Sequence, residues 1–441
     1  MKAITLFSSA GIGDLAIKAS GIDILVANEL LEDRVSLHRR NFPGTQMIDG
    51  DIWSKKDEII ETTLELLDGE ELDFLFATPP CQGMSKNGQG KLLSGIRNGT
   101  KPKFDARNQL IMPTLDIAVA LKPKIILFEN VPEMENTLIL DEQENPINLI
   151  EYIRRRLGPE YVGKAEVVQF ADLGVPQRRS RLITIFSRLE HVQDYLYSHD
   201  TLIPMRSHAK NPSRGILPWV TVRDTIGKLP ALDSKDKETA TSKIPFHRVP
   251  VLDEKKYWWI ENTPPERGAF DNQCVNADCR YQGNITHGAT RNEAGINRAN
   301  TTTPLYCEKC GALLPRPSTK DKTTGELRIM AGYTSAYKRM AWDLPSSTLT
   351  TNLSFPCSDQ KVHPEQNRVL SLYEAFLLHT LDEFPYVWEH ADGRVARDST
   401  IREVIGESIP PKAIFVIVQH LLGCLRKEVP LASANLLSLI R

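Results

Sequence analysis

Short apolar runs alternate with longer amphipathic stretches along residues 1–190. Residues 2–7 predict a strand that opens into a turn at Gly11 and Gly13, and residues 15–20 a helix. A second buried strand is expected over 22–27 and a helix over 30–41, stopped by Phe42-Pro43-Gly44. Residues 73–77 form another apolar run, ended by Pro79-Pro80. Helix then strand follow at 110–121 and 124–128, then a helix at 149–157 and a strand at 182–186. Such alternation predicts a parallel sheet covered by helices on both faces. Sites in such sheets lie beyond the carboxyl ends of the strands, where Gly11, Glu29, residues 78–82 and Glu129 fall.

The rhythm is lost over 189–365, a stretch with many Pro, Thr and Asn residues. Helical periodicity returns from Gln366, and residues 414–425 read as an apolar helix that packs back on the first domain. The expected organisation is therefore 1–188, an inserted 189–365, and a return over 366–441 whose part 401–425 rejoins the first domain.

Length and composition narrow the picture. The 441 residues, 41% hydrophobic and 25% charged, are ordinary for a globular chain with two cores. No uninterrupted apolar run reaches the ~18–20 residues of a membrane span, and the N-terminus does not read as a signal peptide. A cytoplasmic protein without membrane association is expected. Net charge is −2, yet residues 205–345 carry 22 Lys+Arg against 15 Asp+Glu, or +7, leaving −9 elsewhere. A basic middle in an acidic chain suits a polyanion-binding segment, although ordinary surface variation gives the same sum.

Four of the seven cysteines crowd into 274–310, a pattern unlike a secreted disulfide framework. Cys274 and Cys279 precede Cys307-Glu308-Lys309-Cys310-Gly311 by 27 residues, and the second pair has the shape of a zinc knuckle. One structural zinc on these four thiols is expected, with His287 between the pairs left as a solvated loop residue.

Four further motifs carry chemistry. The turn Ser8-Ser9-Ala10-Gly11-Ile12-Gly13 lets a ligand approach the backbone, and Glu29 stands where it can accept from a ribose diol. Together they suit an adenosine-type cofactor, though glycine turns of this kind are common. Thr78-Pro79-Pro80-Cys81-Gln82 holds one thiol at a strand end. A free cysteine is usually a small buried hydrophobe, but a stiff polar loop favours a nucleophile. Phe128-Glu129-Asn130-Val131 ends an apolar strand with a carboxyl group, a setting that suits a proton donor. Gln177-Arg178-Arg179-Ser180-Arg181 precedes the next strand.

In this order along the chain, the motifs resemble the S-adenosylmethionine-dependent DNA (cytosine-5) methyltransferases. Leu6 to Gly11 looks like the cofactor loop and Gly50-Asp51-Ile52 like the adenine-contacting segment. Pro79-Pro80-Cys81-Gln82 resembles the nucleophile loop, and Arg107-Asn108-Gln109-Leu110 the helix after it. Residues 406–411 are similar to the closing segment. The likeness covers 1–190 and 345–425, with two departures: Ser9 replaces a usual Gly, and Glu407 a usual Asn.

The resemblance implies a Rossmann-like doubly wound α/β methyltransferase domain with an inserted, mostly irregular and β, target-recognition domain. It implies S-adenosyl-L-methionine held by Phe7, Ser9, Ala10, Gly11, Glu29, Asp51, Ile52 and Pro80. Cys81 would add to C6 of a flipped cytosine, Glu129 would donate to N3, and Arg181 with Arg179 would hold the base. The expected substrate is double-stranded DNA and the expected state a monomer. With no regulatory segment before Met1, a bacterial restriction–modification enzyme is expected, with a cognate endonuclease acting separately. The same chemistry on tRNA and a non-catalytic DNA-binding homologue are the alternatives.

Overall fold

A computed structural model describes residues 1–80, 106–291, 297–299, 302–330 and 334–428. Cys81 lies outside the described residues. The chain divides into two compact units, one of residues 1–219, 380–404 and 408–441, the other of 220–379 and 405–407.

The first unit is built on a seven-stranded sheet. Its strands are β1 (Lys2–Leu6), β2 (Asp23–Glu29), β3 (Gln46–Asp49), β4 (Phe74–Ala77), β5 (Ile125–Asn130), β6 (Val162–Gln169) and β7 (Ser180–Ser187). They lie in the order β3-β2-β1-β4-β5-β7-β6. Strands β3 to β5 pair in parallel, and Phe74 to Ala77 and Ile125 to Asn130 are buried throughout, as strands covered on both faces must be. β7 runs antiparallel to both β5 and β6, so the sheet is mixed where the alternation predicts a parallel one. The cause is the short link over 170–179, a single 3-10 turn closed by Gly174 at φ 83°. A parallel crossover needs a dozen or more residues, whereas a short link returns the chain antiparallel.

The helices are α1 (Asp14–Ala19), α2 (Glu32–Asn41), α3 (Ile52–Leu67), α4 (Ile111–Leu121), α5 (Leu149–Leu157), α6 (Glu190–His199) and α7 (Pro411–Leu425). Their ends follow local chemistry. Asn148 caps α5 by accepting from the N–H groups of Ile150 and Glu151, and Arg154 to Arg156 sit at its negative end. Asp51 caps α3 through the N–H of Trp53. The apolar pattern does not mark β3, α3, β6 or α6. α3 buries only Ile52, Ile59, Thr63 and Leu67, a stripe too narrow to stand out.

α7 is apolar almost all round and buried as a core helix. Among the described residues, Asp398–Leu425 is the one helical stretch with the length and hydropathy of a membrane span, and 78% of its apolar window is buried inside the protein.

Among its described residues, the second unit has little regular structure: three helices of five to eight residues and short two-stranded ladders. Buried guanidinium groups take over part of the work of a core. Arg339 donates to the carbonyls of Thr263, His363, Gln366 and Ile260 and to Asn367 Oδ1 at 2.7–2.9 Å. Arg368 forms a bidentate pair with Glu374, both bonds 2.7 Å. The unit begins at Val220 and runs to His379, where the sequence pattern places its limits at 189 and 365. Residues 189–219 stay with the sheet because α6 packs on α7, β6 and β7. The helix Leu372–Leu378 joins the second unit through contacts with Val222–Ile226.

Phe415, 1% exposed in α7, tests how far this helix supports the sheet. Phe415→Ala should destabilise the first unit by about 3–5 kcal/mol, read as an earlier denaturant midpoint by circular dichroism.

Candidate active site

The strand order reverses between β1 and β4, and the loops beyond their carboxyl ends face the crevice this creates. After β1 the chain turns through two left-handed residues, Phe7 at φ 59° and Ser9 at φ 49°. Ser8 N–H donates to Asn28 O at 3.0 Å, and Gly11 N–H to Ser8 O at 2.9 Å. Gly11, at φ 83°, has no room for a side chain, since a Cβ would stand 2.4 Å from the Phe42 ring. Beneath the loop Asp14 Oδ2 accepts from Thr5 Oγ1 and meets His38 Nε2, both at 2.9 Å and both fully enclosed. His38 in turn stacks on Phe42 at 4.6 Å.

Glu29 ends β2 and is 7% exposed. Its two oxygens accept from Ser9 N–H at 2.8 Å and Leu31 N–H at 2.9 Å, so one carboxylate fixes both loops. Each oxygen keeps a second lone pair for a ligand hydroxyl. Asn28 Nδ2 bonds the carbonyls of Ile48 and Gly50, which holds the Asp51–Ile52 turn alongside. Leu30, Leu31 and Trp53 are exposed on these same turns. Sequence reasoning passes over them, because a single exposed apolar residue carries no pattern.

The C-terminal return reaches this loop within the same unit. Half-buried Tyr386 donates to Ala10 O at 2.9 Å, and desolvation pushes its hydroxyl pKa up. Ile409 lies against Gly13. Asn41 exchanges two hydrogen bonds with Val387, at 2.8 and 3.0 Å. Tyr386 is a site residue that sequence reasoning missed, since nothing local ties it to a loop 376 positions away.

Beyond β4, Thr78 Oγ1 donates to Phe7 O at 3.1 Å, and Asn130 Nδ2 to Pro79 O at 3.0 Å. The turn leading to Cys81 is thus tied to both β1 and β5. Glu129 stands opposite Ile183 in the antiparallel register, which puts Arg181 two residues along on the same face. Arg181 Nε and Glu129 Oε1 lie 2.8 Å apart, with both side chains largely buried. Arg179 is wholly buried. Desolvation, and then the charge of Arg181, push its guanidinium well below the usual range, while Glu129 opposes them. The sheet therefore assembles Pro80, Glu129, Arg179 and Arg181 at one end of the crevice, with Phe7 to Gly11, Glu29, Asp51 and Ile52 on the flanking loops.

In the second unit, the sulfur atoms of Cys274, Cys279, Cys307 and Cys310 all lie within 4.8 Å of one another. The pairs Cys274–Cys310 and Cys279–Cys307 stand at 3.7 and 3.9 Å. A tetrahedron with Zn–S bonds of ~2.3 Å has edges of about 3.8 Å, so the four thiols match that metal. Burial pushes the Cys307 thiol up, but the N–H groups of Cys310 and Lys309 outweigh it and bring the group to about 6. His287 is outside the cluster, as expected, but it is not a solvated loop residue. It stacks on Phe270 at 4.4 Å, and its Nδ1 meets Thr303 Oγ1 at 2.7 Å.

A family model described as C-5 cytosine-specific DNA methylase matches residues 1–423. The type II methyltransferase M1.HgaI of Avibacterium volantium is 30% identical over 428 residues, covering 95% of this chain and 97% of its own. M.AgeI of Thalassovita gelatinovora is 23% identical over 451 residues, covering 93% and 96%. Among solved structures, one described as a putative DNA modification methyltransferase encoded within an E. coli prophage matches with TM-score 0.52 at 20% identity, covering 97% and 99%, a likeness of fold. S. pombe Dnmt2 methyltransferase matches with TM-score 0.50 at 13% identity over 97% and 99%, a likeness of fold alone.

The left-handed Ser9 limits which side chains the loop accepts there. A β-branched residue resists this conformation, so Ser9→Val should cost about 1–3 kcal/mol. Ser9→Gly should be tolerated, with both read by thermal unfolding.

Proposed function

The chain belongs to the C-5 cytosine-specific DNA methylase family, and from that premise we propose that it methylates C5 of a flipped-out cytosine in double-stranded DNA as the modification enzyme of a type II system. The observation that carries the site assignment is the Glu129–Arg181 pair at 2.8 Å, beside the Pro79–Pro80 turn that leads to Cys81.

S-adenosyl-L-methionine, when bound, supplies an electrophilic sulfonium methyl group. The backbone of Phe7, Ser9, Ala10 and Gly11 would line it, and Glu29 would accept from the ribose hydroxyls. Asp51 and Ile52 would meet the adenine, with exposed Leu30 and Trp53 beside them. Pro80 closes the reacting end.

C5 of cytosine is a weak nucleophile until a thiolate adds at C6. Cys81 forms that bond, and the ring becomes an enamine. Glu129 delivers a proton to N3 as charge builds there, which requires Arg181 to shift its contact toward the base O2. Arg179, buried behind, fixes the strand end. Once C5 carries its methyl group, water takes the C5 proton, the N3 proton returns to Glu129 and Cys81 leaves as the thiolate. Residues 220–379 act as the target-recognition unit. The enzyme works as a cytoplasmic monomer on nucleoid DNA, and a separate cognate endonuclease cuts unmodified sites.

Cys81→Ser should abolish turnover while S-adenosyl-L-methionine binding persists, and DNA with 5-fluorocytosine at the target should trap the unsubstituted enzyme covalently. Turnover by the Ser variant would refute the nucleophile. Glu129→Gln should slow single-turnover methyl transfer by about 10²–10⁴-fold; an unchanged rate removes its acid role. Parallel assays on DNA and RNA decide the substrate.

Cys274, Cys279, Cys307 and Cys310 hold one structural zinc, since four thiolates leave no open coordination position. Elemental analysis of protein purified without chelators should give about one zinc per chain. Four freely titrating thiols in the folded protein would overturn this assignment.

A further inference from the structure

A cleft of about 190 Å³ opens within the second unit. Glu266, Arg267, Phe270, Asp271, His287 and Lys338 line it. Its wall is rigid: the Phe270 and His287 rings stack with an interplanar angle of 14°. Asp271 Oδ1 accepts the backbone N–H of His287 at 2.8 Å, and Thr303 holds the ring. The floor is equally fixed, because Arg339 N–H donates to Arg267 O at 3.0 Å and Gly268 bridges to Lys338. Glu266 is held in the left-handed region at φ 61°, a strain that persists where surrounding structure imposes it and that gathers at ligand sites.

The charges are what make the cleft informative. Among the described residues, neither Arg267 nor Lys338 pairs with a carboxylate, although Glu266 and Asp271 share the cleft with them. Two cations and two carboxylates give no net attraction for phosphate. They do offer donors and acceptors side by side. That combination suits base edges, where Arg or Lys donates to guanine O6 and N7 and a carboxylate accepts from cytosine N4.

The zinc knuckle frames the same cleft. Arg316, fully buried, donates to the carbonyls of Asn272, Ile285 and Pro304 at 2.8–2.9 Å. These carbonyls belong to the segments that run from the knuckle to Asp271, His287 and Thr303. Arg316 thus ties the cysteine-bearing segments to the cleft wall.

We propose that this cleft reads the target, with Arg267, Lys338 and Glu266 contacting the edge of a G·C pair in duplex DNA. The inference rests on the DNA methyltransferase reading above and assigns the residues that choose the sequence.

Arg267→Ala, Lys338→Ala and the near-isosteric Glu266→Gln should each be expressed in a host free of cytosine methylation. Methylation-aware sequencing of the host genome then gives the sites modified. At least one variant should accept other bases at one fixed position of the target, with discrimination there lowered about ten- to hundredfold. Cofactor affinity, measured by calorimetry, confirms that each variant is folded. Unchanged sequence preference in all three variants would overturn the proposal. A uniform loss of binding to all duplexes with a shallower salt dependence would also overturn it, by making these residues phosphate anchors. If the unsubstituted protein methylates no cytosine in any duplex, the enzymatic reading falls and the cleft assignment with it. A defined target that the variants leave unaltered defeats the cleft alone.

Discussion

Arg181 meets Glu129 because one strand of the sheet runs against the rest. β7 enters between β5 and β6 in reverse, so its first residues arrive at the carboxyl end of β5. A parallel strand in that place would bring its last residues there instead, and the Gln177–Arg181 segment would lie at the far end of the sheet. The reversal follows from a link over 170–179 too short for a crossover helix. The pairing of Glu129 with Arg181 depends on that geometry. The parallel register of β4 on β5 in turn brings Asn130, the last residue of β5, to Pro79 and steadies the turn before Cys81.

The opening loop is held by a second constraint, a polar network in the interior. Thr5, Ser8, Asp14 and His38 bond one another beneath the loop, and Glu29 ties it to the next turn from above. Removing one partner of an enclosed hydrogen-bonded pair such as Asp14–His38 costs about 1–3 kcal/mol, because the other is left buried without its partner. The network allows Phe7 and Ser9 to remain left-handed without glycine. It also explains why the usual glycine is dispensable at position 9, where the Glu29 contact to the backbone N–H offsets the strain.

The second unit solves a different problem. With few regular elements, many of its backbone carbonyls lie outside any ladder, and Arg316 and Arg339 gather several of them. A guanidinium offers five donors in a fixed plane, so one side chain can fix several strands of irregular chain. The four thiols add a further tie.

Much of the first unit was legible in the chain itself. Most of the strands and helices follow from apolar runs and their stops, and the functional loops fall at strand ends because turn residues interrupt those runs there. Motif chemistry at Glu29, Pro80, Cys81, Glu129 and Arg181 was likewise local, as was the Cys274–Cys310 spacing. What the sequence could not reveal was long-range. The direction of β7, the reach of Tyr386 to Ala10, the retention of 189–219 by the sheet and the cleft beside His287 each join segments far apart in the chain. Local pattern decides which residues are apolar, stiff or able to cap a helix. Which distant groups share a face is decided only when packing fixes strand direction and register, and no periodicity within a segment encodes that choice.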